Sequence, residues 1–233
     1  MKTLSVLAGA VMFAASGAHS AEYTVEIQNL TRSTLFTPLL VAAHPADSHL
    51  FTVGGEASLA LQAMAEGGDI EPLNGELDAL GALSVANPAG GLLMPGEATS
   101  ATLNNDDSPA NTHLSLVAML LPTNDGFVGL DSLPLPTEPG TYQYQLQAYD
   151  AGTEANDEVR GSGMPGSPGM PVPPPLEPLL GSNGTGVPGE AEGFVHIHRG
   201  VLGDNDPEGG VSDIDATRHR WLNPVARLTV TVE

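Results

Sequence analysis

PTNDGFVGLDSLPLPTEPGTYQYQLQAYDAGTE, residues 122–154, decides the fold. It opens with an acidic turn, Thr123-Asn124-Asp125-Gly126, and continues as an extended segment rich in proline. In 142–149, YQYQLQAY, aromatic and apolar side chains alternate with Gln, the period of a strand with one buried face. A second acidic turn follows, Asp150-Ala151-Gly152-Thr153-Glu154. Two such turns, side by side at one end of a β-sandwich, offer the all-oxygen surroundings that a hard cation such as calcium prefers. Asp150 and Glu154 straddle Gly152, which lets the loop curl so that both carboxylates converge. Asn, Asp and Gly are also the residues of ordinary solvated turns, so spacing alone leaves both readings open.

PTNDGFVGLDSL followed by YDAGTE resembles the paired signature of the spondin N-terminal domain. Further stretches are similar in the same order: the run ending in His44, VGGEASLALQAMAEGGD at 53–69, THLSLVAMLLP at 112–122, DPEGG at 206–210 and NPVARLTV near the end. The resemblance implies an antiparallel β-sandwich of C2-like, spondin type, with one or two short helices and long loops. It also implies a calcium ion held by the two turns, with Asp125, Asp150 and Glu154 as ligands. Three features depart from the animal pattern. Gly126 and Tyr149 stand where it has Trp, Glu154 replaces an Asp, and the cysteines are missing.

The 233 residues include no Cys, 28 Gly and 20 Pro, and carry a formal charge of −21. That length suits one domain with generous loops. The acid excess argues against nucleic acid or an anionic membrane surface as partner, since both would be repelled. It suits cations and solubility. Without Cys there are no disulfides or thiolate metal sites, and cysteine usage does not report the compartment. The N-terminus does: a short basic start, an apolar run over 4–15 and the small residues of Ala18-His19-Ser20 predict a signal peptide over 1–20. The mature chain, 21–233, is therefore expected to be exported, to the periplasm, the cell surface or the medium. No other apolar run is long enough to insert in a bilayer.

Taken in order, 23–28 alternates as a first strand, and 35–43 reads as a second, interrupted by Pro38 and so placed near an edge. His44 and His49 bound a short loop. ASLALQAMAE, 57–66, is the clearest helix and is stopped by Gly67-Gly68; 69–83 holds a second short one. Strands are expected at 98–103 and at 113–121, the latter a near-continuous apolar run suited to a buried position. The segment 161–189, with Pro173-Pro174-Pro175, reads as an inserted extended or mobile loop that supplies neither ladder nor core. Strand pattern resumes at 194–198, an acidic loop fills 204–215, and 222–232 closes the domain.

With Cys missing, imidazole is the main ligand for a softer metal. His44 and His49 can point into a common space, and His113 begins the apolar strand that leads to Asp125. The resemblance places His44 and His113 where relatives also carry His, which implies neighbouring strands. A group of methanotroph surface proteins that bind copper is similar to this domain and uses two histidines with a modified Trp; His49 aligns with that Trp. A copper site of His44, His49 and His113, for storage, scavenging or delivery, follows as an expectation. Hydrogen-bonded loop-end histidines are the plain alternative. His196 and His198 share a strand face and can chelate zinc or copper, although a third ligand is not evident. Asp204, Asp206 and Glu208 can bind a second calcium but also suit a plain acidic loop.

No G-x-S-x-G, H-E-x-x-H or Gly-rich phosphate loop occurs, and the chain is not expected to be an enzyme. Trp221, the only Trp, reads as a core anchor. The competing function is an adhesion or interaction module for matrix, glycan or a surface protein, with calcium as its only cofactor, in a structural role.

Overall fold

The computed structural model describes residues 21–233. The expected signal peptide, 1–20, lies outside the described residues. Twelve strands are described: β1 (Glu22–Asn29), β2 (Leu35–Phe36), β3 (Leu40–His44), β4 (Leu83–Ala86), β5 (Ala98–Asn104), β6 (His113–Leu121), β7 (Gly126–Pro134), β8 (Gly140–Asp150), β9 (Arg160–Gly161), β10 (Met170–Pro171), β11 (His196–Ile197) and β12 (Ala226–Val232). Three helices accompany them: α1 (Leu59–Gly67), α2 (Glu71–Ala79) and α3 (Ala216–His219). Antiparallel pairing runs in the order β4-β3-β6-β7-β8-β12-β1-β5, with β2 added on β6 and β11 on β8. The sheet curls until β4 nears β5, giving the expected sandwich.

Strand period two explains the interior. β1 turns Tyr23, Val25 and Ile27 inward, and β12 turns in Leu228, Val230 and Val232, while their alternate residues face out. β6 is apolar without interruption from Leu116 to Leu121 because both of its faces are covered. Leu114, Leu116, Ala118 and Leu120 enter the sandwich core, whereas Val117, Met119 and Leu121 enter a second core beneath the helices. β3 divides in the same way, Val41 and Ala43 to one side and Leu40 and Ala42 to the other. The helical layer is set by α1. Ser58 accepts the Leu61 N–H at its start, a cap that contributes about 1 kcal/mol. Gly68, in the left-handed region, ends it.

One expectation stands and one is corrected. The strand at 35–43 is broken by Pro38 and lies near an edge, one strand in from the terminal β4. The proline falls between β2 and β3, where the Thr37 hydroxyl accepts the Met119 N–H, and β4 pairs along the outer side of β3. The segment 161–189 does supply ladder and core. β10 pairs in parallel with β9, and Met170 and Leu176 are fully buried. Extended chain without a regular ladder can still insert side chains, provided that something holds its backbone.

Carboxylates do that holding. The buried Glu158 accepts Leu202 N–H at 2.6 Å and Gly203 N–H at 2.8 Å. Asp213, also buried, accepts Arg160 N–H at 2.9 Å and Gly184 N–H at 2.8 Å. Buried Glu66 accepts Gly166 N–H, and Asp131 accepts Leu50 N–H at 2.7 Å. Charge-assisted acceptors thus replace the ladder bonds that loops lack. Part of the acid excess is therefore structural.

Candidate metal centre

The two turns of 122–154 meet where the halves of the sandwich join. β7 pairs with β8 only over 126–129 against 147–150, and Gly126 lies opposite Asp150. On the other side of β8, β11 sets His196 opposite Asp150. Asp150 therefore sits at the middle of three strands. Gly152 makes the approach of β11 possible. It is left-handed, and a Cβ there would lie 2.4 Å from the carbonyl oxygen of Phe194. The curl expected of this glycine is present, and so is a close backbone crossing.

Asp125 is fully buried. Its Oδ2 accepts Thr153 N–H at 2.8 Å and Glu154 N–H at 3.1 Å, while Oδ1 is enclosed without a hydrogen-bond partner. Burial, then the charge of nearby Asp150, push its carboxyl up to about 8. Asp150 is also buried; Oδ1 accepts Gly152 N–H at 2.9 Å, and Oδ2 accepts an Asn156 amide hydrogen at 2.8 Å. A pair of buried carboxylates, one with an unsatisfied oxygen, suits a cation. Asp125 and Asp150 are brought together as expected. Glu154 reaches them through its backbone N–H, and its Oε1 instead accepts from the Asn124 amide at 2.9 Å and from Gly169 N–H. Burial raises the Glu154 carboxyl, against these two donors.

His196 on β11 and His198, the residue after that strand, turn toward the same carboxylate. His196 Nε2 lies 3.5 Å from Asp150 Oδ1 and 3.7 Å from Glu192 Oε2. One ligand atom from each of Asp150, Glu192 and His196 lies within 4.8 Å of the others. His198 Nε2, buried, lies 3.9 Å from Asp150 Oδ2 and also lacks a hydrogen-bond partner. The His198 ring packs against Trp221, centroids 5.1 Å apart, and fills the space that a side chain at Gly126 would need. Burial depresses His198 to about 4, against the pull of Asp150. His196 and His198 thus turn to the same carboxylate, and the residues gathered with His196 are Asp150 and Glu192, without His198. The spacing of Glu192 and His196, four residues apart, is visible in the sequence, but outside a helix it gives no reason for the two to meet.

The histidines expected to bind copper are neighbours without a common focus. His44 and His113 are opposite each other on β3 and β6. His44 is fully buried with both nitrogens engaged, Nδ1 donating to the Pro45 carbonyl at 2.9 Å and Nε2 accepting from the Ser115 hydroxyl at 2.7 Å. His49 Nδ1 pairs with Asp131 at 2.6 Å. Burial, followed by the proximity of His44 and His49, lowers His113. Among the described residues, these three rings do not form a group with ligand atoms within 4.8 Å of one another.

Asp204, Asp206 and Glu208 do not form one either. Asp204 accepts the amides of Asp206, Val211 and Ser212, which hold its carboxyl below the usual range, so it organises its own loop. Trp221, half-buried, packs against the sandwich core.

A curled antiparallel sandwich with carboxylates and imidazoles gathered at one end defines the class, a β domain with an acid and imidazole cluster among its loops. The chain belongs to the Spondin_N family, whose model matches residues 16–172. No curated protein matches the chain. The match ends before β11, so Glu192, His196 and His198 lie outside the matched part. No helix among the described residues is long and apolar enough to cross a membrane.

Proposed function

We propose that this protein is an exported, non-enzymatic interaction module whose loop end is held in shape by calcium bound at Asp125 and Asp150. Family membership supports an extracellular interaction role. The observation that carries the cation is Asp125 Oδ1, an enclosed oxygen with no donor, facing a second buried carboxylate. Calcium takes six to eight oxygens, and turn carbonyls and water complete such shells. Asp125 and Asp150 supply the charge. The ion offsets their repulsion and ties the 123–126 turn to the 150–154 turn, fixing the surface that a glycan, a matrix component or another surface protein would meet. The reading is tested by limited proteolysis of the mature chain with and without calcium, alongside binding to envelope extracts. Calcium should protect the loops over 151–193 and strengthen capture, and Asp150→Asn should abolish both effects. Unchanged cleavage and capture across a calcium series would reject it.

Copper at His44, His49 and His113 is the second reading, favoured by the side-by-side placement of His44 and His113. Binding there has to displace the Ser115 hydroxyl from His44 and Asp131 from His49. Copper affinity unchanged by replacing all three histidines would remove it.

A further inference from the structure

We propose that Asp150, Glu192 and His196 form a second metal site, for a divalent ion of the zinc class, which shares Asp150 with the calcium site but differs from it in donor chemistry. The reasoning starts from the His196 ring. Its Nδ1 lies 3.1 Å from the Ile197 carbonyl oxygen, which can only accept, so Nδ1 carries the hydrogen. In the neutral ring, Nε2 is then a bare lone pair. That atom is enclosed, has no hydrogen-bond partner, and faces two carboxylates. Acceptors facing acceptors need a positive charge between them, supplied by a proton or by a metal.

Distance favours the metal. An imidazolium bound to carboxylates draws them to about 2.7–2.9 Å. The observed separations are 3.5 Å and 3.7 Å. Two ligands on a tetrahedral ion, each about 2.1 Å from it, lie roughly 3.4 Å apart. A backbone carbonyl accepting from the other ring nitrogen is also the usual support for a metal-bound histidine.

His198 is the independent observation. Its Nδ1 accepts the Gly200 N–H at 3.0 Å, so in the neutral ring Nε2 carries the hydrogen and is aimed at Asp150 Oδ2. His198 is thus a positioning residue for Asp150, with Asn156 beside it, and not a ligand. Imidazole with two carboxylates is a borderline donor set that suits zinc better than calcium. Three protein ligands leave one position open. His196 and Glu192 are partly exposed at the edge of the site, and water or a donor group of a partner would take that position.

The test titrates zinc chloride into the mature chain by calorimetry, in buffer saturated with calcium, with cobalt(II) absorption as a second readout. One zinc per chain is expected, with a cobalt spectrum of tetrahedral intensity. His196→Ala should weaken zinc at least tenfold while keeping the thermal shift produced by calcium. Should that variant fail to fold, Glu192→Gln, at the exposed side of the site, is expected to weaken zinc likewise. Absence of stoichiometric zinc binding, or an affinity untouched by either substitution, overturns the proposal. Loss of the calcium response alone would overturn the calcium reading and leave the zinc site standing.

Discussion

Asp125→Asn separates the two roles of the buried carboxylate. The substitution keeps the shape and leaves an oxygen to accept the Thr153 and Glu154 amides, as Asp125 Oδ2 does. It replaces the partnerless Oδ1 with an amide that can donate toward Asp150. In the cation-free protein, burial and Asp150 raise the Asp125 carboxyl from 3.8 to about 8. At pH 7 folding therefore opposes an ionisation that the unfolded chain undergoes freely, on the order of 3–4 kcal/mol. Asn removes that penalty. Thermal melts at pH 7 in chelator should show the variant above the parent by about 5–15 °C, given roughly 2–4 °C per kcal/mol for a chain of this size. Calcium should narrow the gap. At a hundredfold excess over its Kd it adds about 2.7 kcal/mol to the parent, and nothing to the variant. A variant less stable than the parent in chelator, or equal calcium shifts in both, would refute the account.

The same carboxyl predicts a pH dependence. A folded-state value raised to about 8 gives stability that is full below the unfolded value and lost as pH rises through 8. His198, depressed to about 4, acts oppositely, losing stability as pH falls below its ordinary 6.5, so the window that isolates Asp125 is 6.5–8. Cation-free stability by urea melts should fall there by up to about 2 kcal/mol, and calcium should flatten the fall. Leu176→Ala should lower stability by about 2–5 kcal/mol in urea titration, because Leu176 is fully buried with the helical core; a change below about 0.5 kcal/mol would return 161–189 to the status of a passive loop.

Strand β6 was legible from its near-continuous apolar run, and helix α1 from its apolar side and its Gly67-Gly68 stop. The carboxylate pair Asp125 and Asp150 was legible for a different reason: two turns flank strands that must pair, so register alone brings them together. Glu154 was not, because a carboxylate's target depends on rival donors. Here Asn124 and Gly169 take it, and Gly169 belongs to a segment with no periodicity to read. The copper expectation failed to find convergence for a related reason. Pairing on adjacent strands sets His44 beside His113, but ring direction is set by Pro45 and Ser115, local partners that no spacing announces.

The same limit explains why Glu192 was missed and why the acid excess gave no sign of its structural part. Glu66, Glu158 and Asp213 are buried acceptors for loop amides, indistinguishable in sequence from solvated acids. A chain rich in Gly and Pro leaves many amides without ladder partners, and a carboxylate with two oxygens can hold two of them at once. Acid content and loop content therefore rise together here for a structural reason. Asp150 extends the logic: its oxygens hold Gly152 and Asn156, and each retains a lone pair turned toward an imidazole. In the proposed zinc site the device that fixes a loop is one of three ligands, and His196 and Glu192 supply the other two.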